Sequence, residues 1–173
     1  MNIALIGFRG TGKTTIGELL GTKLDKKLIS TDKEIVKKTK MSIAKFVKSY
    51  GWDKFREIES DVIEHVSDFE DCVFDTGGGI VMRNENIVNL KKNALIVLLT
   101  ADIKTIANRI KNGKERPALT EKGDSINEIK NVLEERESRY HKAADYTIDT
   151  SRITAEEACG LIIHYIQNDK HIW

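Results

Sequence analysis

The chain has 173 residues, enough for one α/β domain with a sizeable core and too few for two catalytic domains. Its 28 basic residues against 27 acidic ones leave a net charge of +1, with no excess to follow a nucleic acid or coat a membrane surface. Cys72, Cys159 and four scattered histidines form neither a zinc motif nor a disulfide scaffold, and no apolar run approaches the ~20 residues of a membrane span.

The first element is the apolar run Ile3–Ile6, a short continuous stretch of the kind a buried parallel strand shows. Directly behind it Gly7-Phe8-Arg9-Gly10-Thr11-Gly12-Lys13-Thr14 spells G-x-x-x-x-G-K-T, and a helix is predicted from Lys13 onward. Glycines at a strand-to-helix turn let backbone N–H groups face a polyphosphate. Gly10, Thr11, Gly12 and Thr15 flank that cradle, Lys13 adds a point charge, and the Thr14 hydroxyl suits a magnesium ion. A chain that opens on its phosphate loop leaves no room ahead of it for a signal peptide, so a cytoplasmic location is expected.

Strand candidates follow at Leu28–Ser30, Cys72–Asp75, Leu95–Leu99 and Tyr146–Asp149, with helical periodicity between them. Strand-helix alternation of this kind predicts an α/β three-layer sandwich, a five-stranded parallel sheet covered on both faces, as one domain over 1–173. Trp52, Phe55, Ile58, Val62 and Val66 recur at helical spacing and are expected to be core rather than ligand contacts. Thr154-Ala155-Glu156-Glu157 matches a capping box opening a last helix, with Ala158, Leu161, Ile162 and Tyr165 expected to dock on the sheet. Two stretches interrupt the alternation. About 31–60 is long enough for a helical insertion, and about 111–124 is a charge-dense loop with the only proline, suited to closing over a nucleotide and delivering Arg116.

The chemistry beyond the loop gathers at strand ends. Gly77-Gly78-Gly79 follows the third strand, where three glycines are entropically costly unless something must approach the bare backbone. Asp32, just past the second strand, suits hydroxyl groups, and Arg56 and Arg136 suit a carboxylate through their two-pronged guanidinium donors.

Taken together and in this order, the phosphate loop, Thr31-Asp32, Phe55-Arg56-Glu57-Ile58-Glu59, Thr76-Gly77-Gly78-Gly79, Arg116-Pro117-Ala118-Leu119, and Arg136 four residues before Tyr140 resemble the motifs of shikimate kinases. The resemblance implies the phosphate-loop NTPase fold of the nucleoside-monophosphate-kinase type. It also implies transfer of phosphate from ATP, with Mg²⁺, to the 3-hydroxyl of shikimate on the route to chorismate and the aromatic amino acids. By position it gives Asp32 the shikimate hydroxyls, Arg56 and Arg136 the carboxylate, and the backbone of Gly77 to Gly79 the side facing substrate and γ-phosphate. Lys13, Asp32 and Arg116 become the catalytic set, while Arg109 and Arg152 become neighbours of the adenine. A monomer with a small-molecule partner, and neither nucleic acid nor membrane, is expected. The chain departs from the family pattern at the end of its second strand, where Ser30-Thr31-Asp32 replaces Asp-x-Asp and removes a magnesium-holding acid. Asp75, where the family carries a small residue, is the expected replacement, so Thr14 and Asp75 form the expected metal site; the alternative is that Asp75 merely caps the glycine turn. Other readings are a gluconate-type or nucleotide kinase of the same fold, or a nucleotide-holding regulatory module without transfer activity.

Overall fold

A computed structural model describes residues 1–112 and 125–168. Five strands, β1 (Asn2–Ile6), β2 (Lys27–Ser30), β3 (Cys72–Asp75), β4 (Ala94–Thr100) and β5 (Tyr146–Asp149), pair in the order β2-β3-β1-β4-β5. Every pairing is parallel, as the strand-helix alternation predicts.

Successive residues of β1 point to opposite faces, and each face is buried. Ala4 and Ile6 join Phe74, Ile96 and Leu98 on one side, under α3 (Ile43–Val66), α4 (Asn84–Lys91) and α6 (Ile126–Ala143). Ile3 and Leu5 join Val73, Val97 and Leu99 on the other, under α1 (Lys13–Leu24) and α7 (Ala155–Asn168). A third cluster places Phe8 of the phosphate loop against Ile106 and Ala107 of α5 (Ile103–Asn112) and Ile129 and Val132 of α6, so the loop rests on a packed floor.

The insertion after β2 is helical, α2 (Thr31–Thr39) followed by the long α3. Gly51, at φ 83° and ψ 169°, kinks α3 in a conformation that side chains disfavour. Beyond the kink, Phe55, Val62 and Val66 are buried as expected, but Trp52 is 41% exposed. The capping box of α7 is reciprocal: Glu157 N–H donates to Thr154 Oγ1 and Thr154 N–H to Glu157 Oε2. Ala158 and Ile162 dock on the sheet, and Tyr165, though partly exposed, stacks on Tyr146 of β5 with ring centres 4.7 Å apart, whereas Leu161, expected to dock as well, is exposed. Cys159 and Ile166 are buried instead, so the centre of the buried stripe of α7 lies round from Leu161. Both cysteines are buried and free. Among the described residues, no helix is long and apolar enough to cross a membrane.

Candidate active site

The carboxyl ends of β1, β2, β3 and β4 lie along one edge of the sheet, where parallel α/β folds bind ligands. The loop from β1 into α1 is tightly constrained. Gly7 sits at φ 139°, and a Cβ there would stand 2.2 Å from the carbonyl oxygen of Leu99, so only glycine fits. The Lys13 ammonium is buried and donates to the carbonyls of Gly7 and Phe8, both at 2.9 Å. Gly12 is the N-cap of α1 in a left-handed conformation without a side-chain cap, so the first N–H groups of the helix face outward beside Thr14 and Thr15. Open N–H groups at a helix N-terminus are a phosphate site.

Asp75 does not cap the glycine turn. That work falls to Thr31, whose hydroxyl accepts from Gly77 N–H at 3.2 Å. Asp75 instead accepts from the Thr14 hydroxyl through Oδ2 at 2.8 Å. Its Oδ1 is buried and has no hydrogen-bond partner among the described residues. In register Asp75 stands directly across from Ser30, one strand spacing away, about 5 Å. A buried carboxylate oxygen without a donor, beside the hydroxyl of a phosphate loop, has the donor set a hard divalent cation takes.

Beside the loop opens a cavity of about 620 Å³ lined by Asp32, Arg56, Glu59, Gly79 and Arg136 among others. Arg56 is boxed in on several sides. Its guanidinium carbon lies 5.3 Å from the Trp52 ring centre and 5.2 Å from that of Phe55, and Nη1 donates to Glu59 Oε2 at 2.6 Å. Gly79 lets it close in, since a Cβ there would meet Arg56 Nη2 at 2.0 Å. Glu59, 1% exposed, is the acid that fixes this arginine. Burial pushes its carboxyl above the ordinary 4.5, against the opposing pull of Arg56. Asp32 and Glu59 flank the bare Cα of Gly77, each within about 3.1 Å of where a Cβ would stand. From the far side, Arg136 Nη1 reaches the Gly78 carbonyl at 3.2 Å, and the Tyr140 hydroxyl donates to the same oxygen.

The structure thus brings together Asp32, Arg56, Gly77, Gly78, Gly79 and Arg136, and sets them against Lys13, Thr14 and Asp75. Arg109 lies behind the loop, donating to Gly10 O at 3.1 Å and to Thr150 O at 2.8 Å. Arg152 is exposed just beyond β5. Arg116 and most of the expected lid lie outside the described residues. Sequence reasoning missed Glu59, whose spacing of three from Arg56 on one helix face was the available signal, and Arg9, which lines the cavity. It also missed Thr150, which no pattern marks. Its hydroxyl clasps the loop by donating to Thr11 O at 3.0 Å.

Comparison with known proteins decides what this edge belongs to. The family model for shikimate kinase matches residues 9–167. A shikimate kinase of Caldicellulosiruptor bescii is 43% identical over 162 residues, covering 94% of this chain and 93% of that protein. The chain belongs to the shikimate kinase family. Another shikimate kinase, from Pelotomaculum thermopropionicum, is 39% identical over 171 residues, 99% of this chain and 98% of its own. The solved shikimate kinase of Acinetobacter baumannii in complex with shikimate superimposes with a TM-score of 0.91 at 29% identity, covering 98% of this chain and 94% of that one. As a shikimate kinase family member the protein is a phosphotransferase that uses ATP and a small-molecule acceptor, which removes the regulatory-module reading.

Proposed function

We propose that the enzyme transfers the γ-phosphoryl group of ATP to the 3-hydroxyl of shikimate, with the acceptor in the cavity beside the phosphate loop. The observation that carries this is the convergence of a clamped Arg56, Arg136 and Asp32 on the bare Gly77–Gly79 backbone, an arrangement for a small hydroxylated carboxylate. Arg56 and Arg136 hold the carboxylate. Asp32 holds the hydroxyls and orients the attacking one, taking its proton as the new O–P bond forms and the bond to ADP breaks. Lys13 releases the Gly7 and Phe8 carbonyls to meet the phosphates. Arg109 and Arg152 flank the adenine, and Arg116 meets the charge on the transferred group. In-line positioning and charge neutralisation supply most of the acceleration, because phosphoryl transfer asks little covalent work of a protein.

Mg²⁺ fits beside Thr14 and Asp75, and when bound it neutralises charge on the β- and γ-phosphates. Asp75 takes the part that an acid at position 30 has in the family pattern. Asp75→Asn should weaken Mg²⁺ about 10- to 100-fold, the usual effect of losing a group that supports a metal ligand. Titration of the nucleotide-bound enzyme with Mn²⁺, followed by electron paramagnetic resonance, reads this without turnover. Unchanged Mn²⁺ affinity removes Asp75 from the metal site. The acceptor is tested by coupled ADP release with shikimate, gluconate and nucleoside monophosphates in parallel. Turnover with shikimate alone is expected, and its absence overturns the assignment.

A further inference from the structure

The carbonyl of Gly78 is held by two side chains of α6 at once, Arg136 and Tyr140. They stand four apart and so lie on the same helix face. Gly78 itself presses on the phosphate loop, for a Cβ on it would stand 3.3 Å from Arg9 N and 3.5 Å from Gly7 O. Its carbonyl is therefore a joint between the loop, the glycine triplet and α6. Tyr140 is 2% exposed and packed in the core cluster with Phe74 and Ile80, so its ring cannot follow a ligand. Burial pushes its hydroxyl up to about 12 against the opposing charge of Arg136, which also lies in hydrogen-bond reach of it, and so keeps it a proton donor at any working pH. Arg136 is half-buried on a long side chain, and its Nε is a buried donor with no partner among the described residues.

We propose that Tyr140 is a positioning residue that keeps the Gly78 carbonyl satisfied on its own, so that Arg136 is shared with the glycine triplet in the free enzyme and can be given up to the acceptor carboxylate. The physical reason is an asymmetry. Gly78 is half-buried at the cavity wall, so a carbonyl with two donors loses little when one leaves, whereas with one donor its loss leaves the oxygen to whatever the cavity supplies. Without the tyrosine hydroxyl, Arg136 becomes the sole partner of Gly78 O and is held back from the substrate. This rests on the reading of Arg136 as a carboxylate ligand.

The test is a double-mutant cycle of Tyr140→Phe and Arg136→Ala with two readouts. In kinetics with shikimate, Tyr140→Phe should raise KM for shikimate about tenfold and leave KM for ATP within about twofold, while adding less than about twofold once Arg136 is gone. A purely structural role predicts equal effects in both backgrounds, and that result overturns the proposal. In ligand-free melting, each single variant should lower Tm by less than about 3 °C and the pair by clearly more than the sum, because only the pair orphans the carbonyl. Additive Tm changes overturn it as well. The second readout needs no acceptor. Failure of the native enzyme to phosphorylate shikimate therefore counts against the proposed function, and the tyrosine assignment is still decided by the melts.

Discussion

The phosphate end and the acceptor end of this site mix local and distant contacts in different proportions. Within the phosphate loop the inner groups are held by sequence neighbours, Lys13 by Gly7 and Phe8 and Thr11 by Phe8 O at 2.8 Å, while Asp75, Arg109 and Thr150 brace its outside from far along the chain. Across the cavity Arg56 is also clamped by its own helix, through Glu59 and Trp52, but the glycine turn it faces is held by distant parts of the chain. Thr31 fixes Gly77, α6 fixes Gly78, and α3 lays Arg56 on Gly79. A site made of neighbours is preformed and acts on the chemical step. A site made of separate elements is adjustable, and its defects fall first on acceptor affinity.

That contrast can be broken in order of expected effect. Arg116→Ala should lower kcat by about 10³ with shikimate KM changed only a few-fold, measured by steady-state ADP release; a loss confined to KM would put the arginine on the acceptor side. Gly7→Ala should fail at the level of folding, since its Cβ meets a backbone carbonyl at 2.2 Å that cannot step aside. Soluble expression and circular dichroism check it, and a well-folded, active variant would refute the claim of a rigid loop. Gly79→Ala meets only the end of a flexible side chain, so the fold should survive while the displaced Arg56 raises shikimate KM about tenfold. The quench of Trp52, which lines the cavity, gives the same affinity directly. The smallest effect is expected at Glu59. Its pKa is raised in the folded state, so its stabilising contribution is complete below about 4.5 and declines as pH rises through the folded value. Glu59→Gln lacks that titration, and its Tm should gain on the native enzyme as pH increases above 4.5. A gap independent of pH would mean that Glu59 stays ionised throughout.

Much of the fold was legible because its signals are local. Each strand is a short apolar run, and α1 begins at Lys13 as the motif requires. The failures are equally physical. Periodicity gives an apolar stripe without its angle to the sheet, so Leu161 reads as inward although packing against α1 buries Cys159 and Ile166 and leaves Leu161 exposed. Trp52 shares the stripe of Phe55, yet the kink at Gly51 turns it toward the cavity, where it stacks on Arg56. Glu59 was visible as a residue but not as a partner, because an acid on a helix is ordinarily solvated and only α3's docking on the glycine turn buries this one.

Spacing along the chain is enough to mark the phosphate loop and the parallel sheet, and the order of motifs, through their resemblance to shikimate kinases, marks the candidate substrate residues. Folding of the sheet is what puts Asp75 one rung across from Ser30 and within reach of the Thr14 hydroxyl. Helix docking likewise brings two donors of α6 to one carbonyl of Gly78. Hydrogen bonds between residues 61 or 62 apart depend on strand order and helix docking, and no local pattern encodes those.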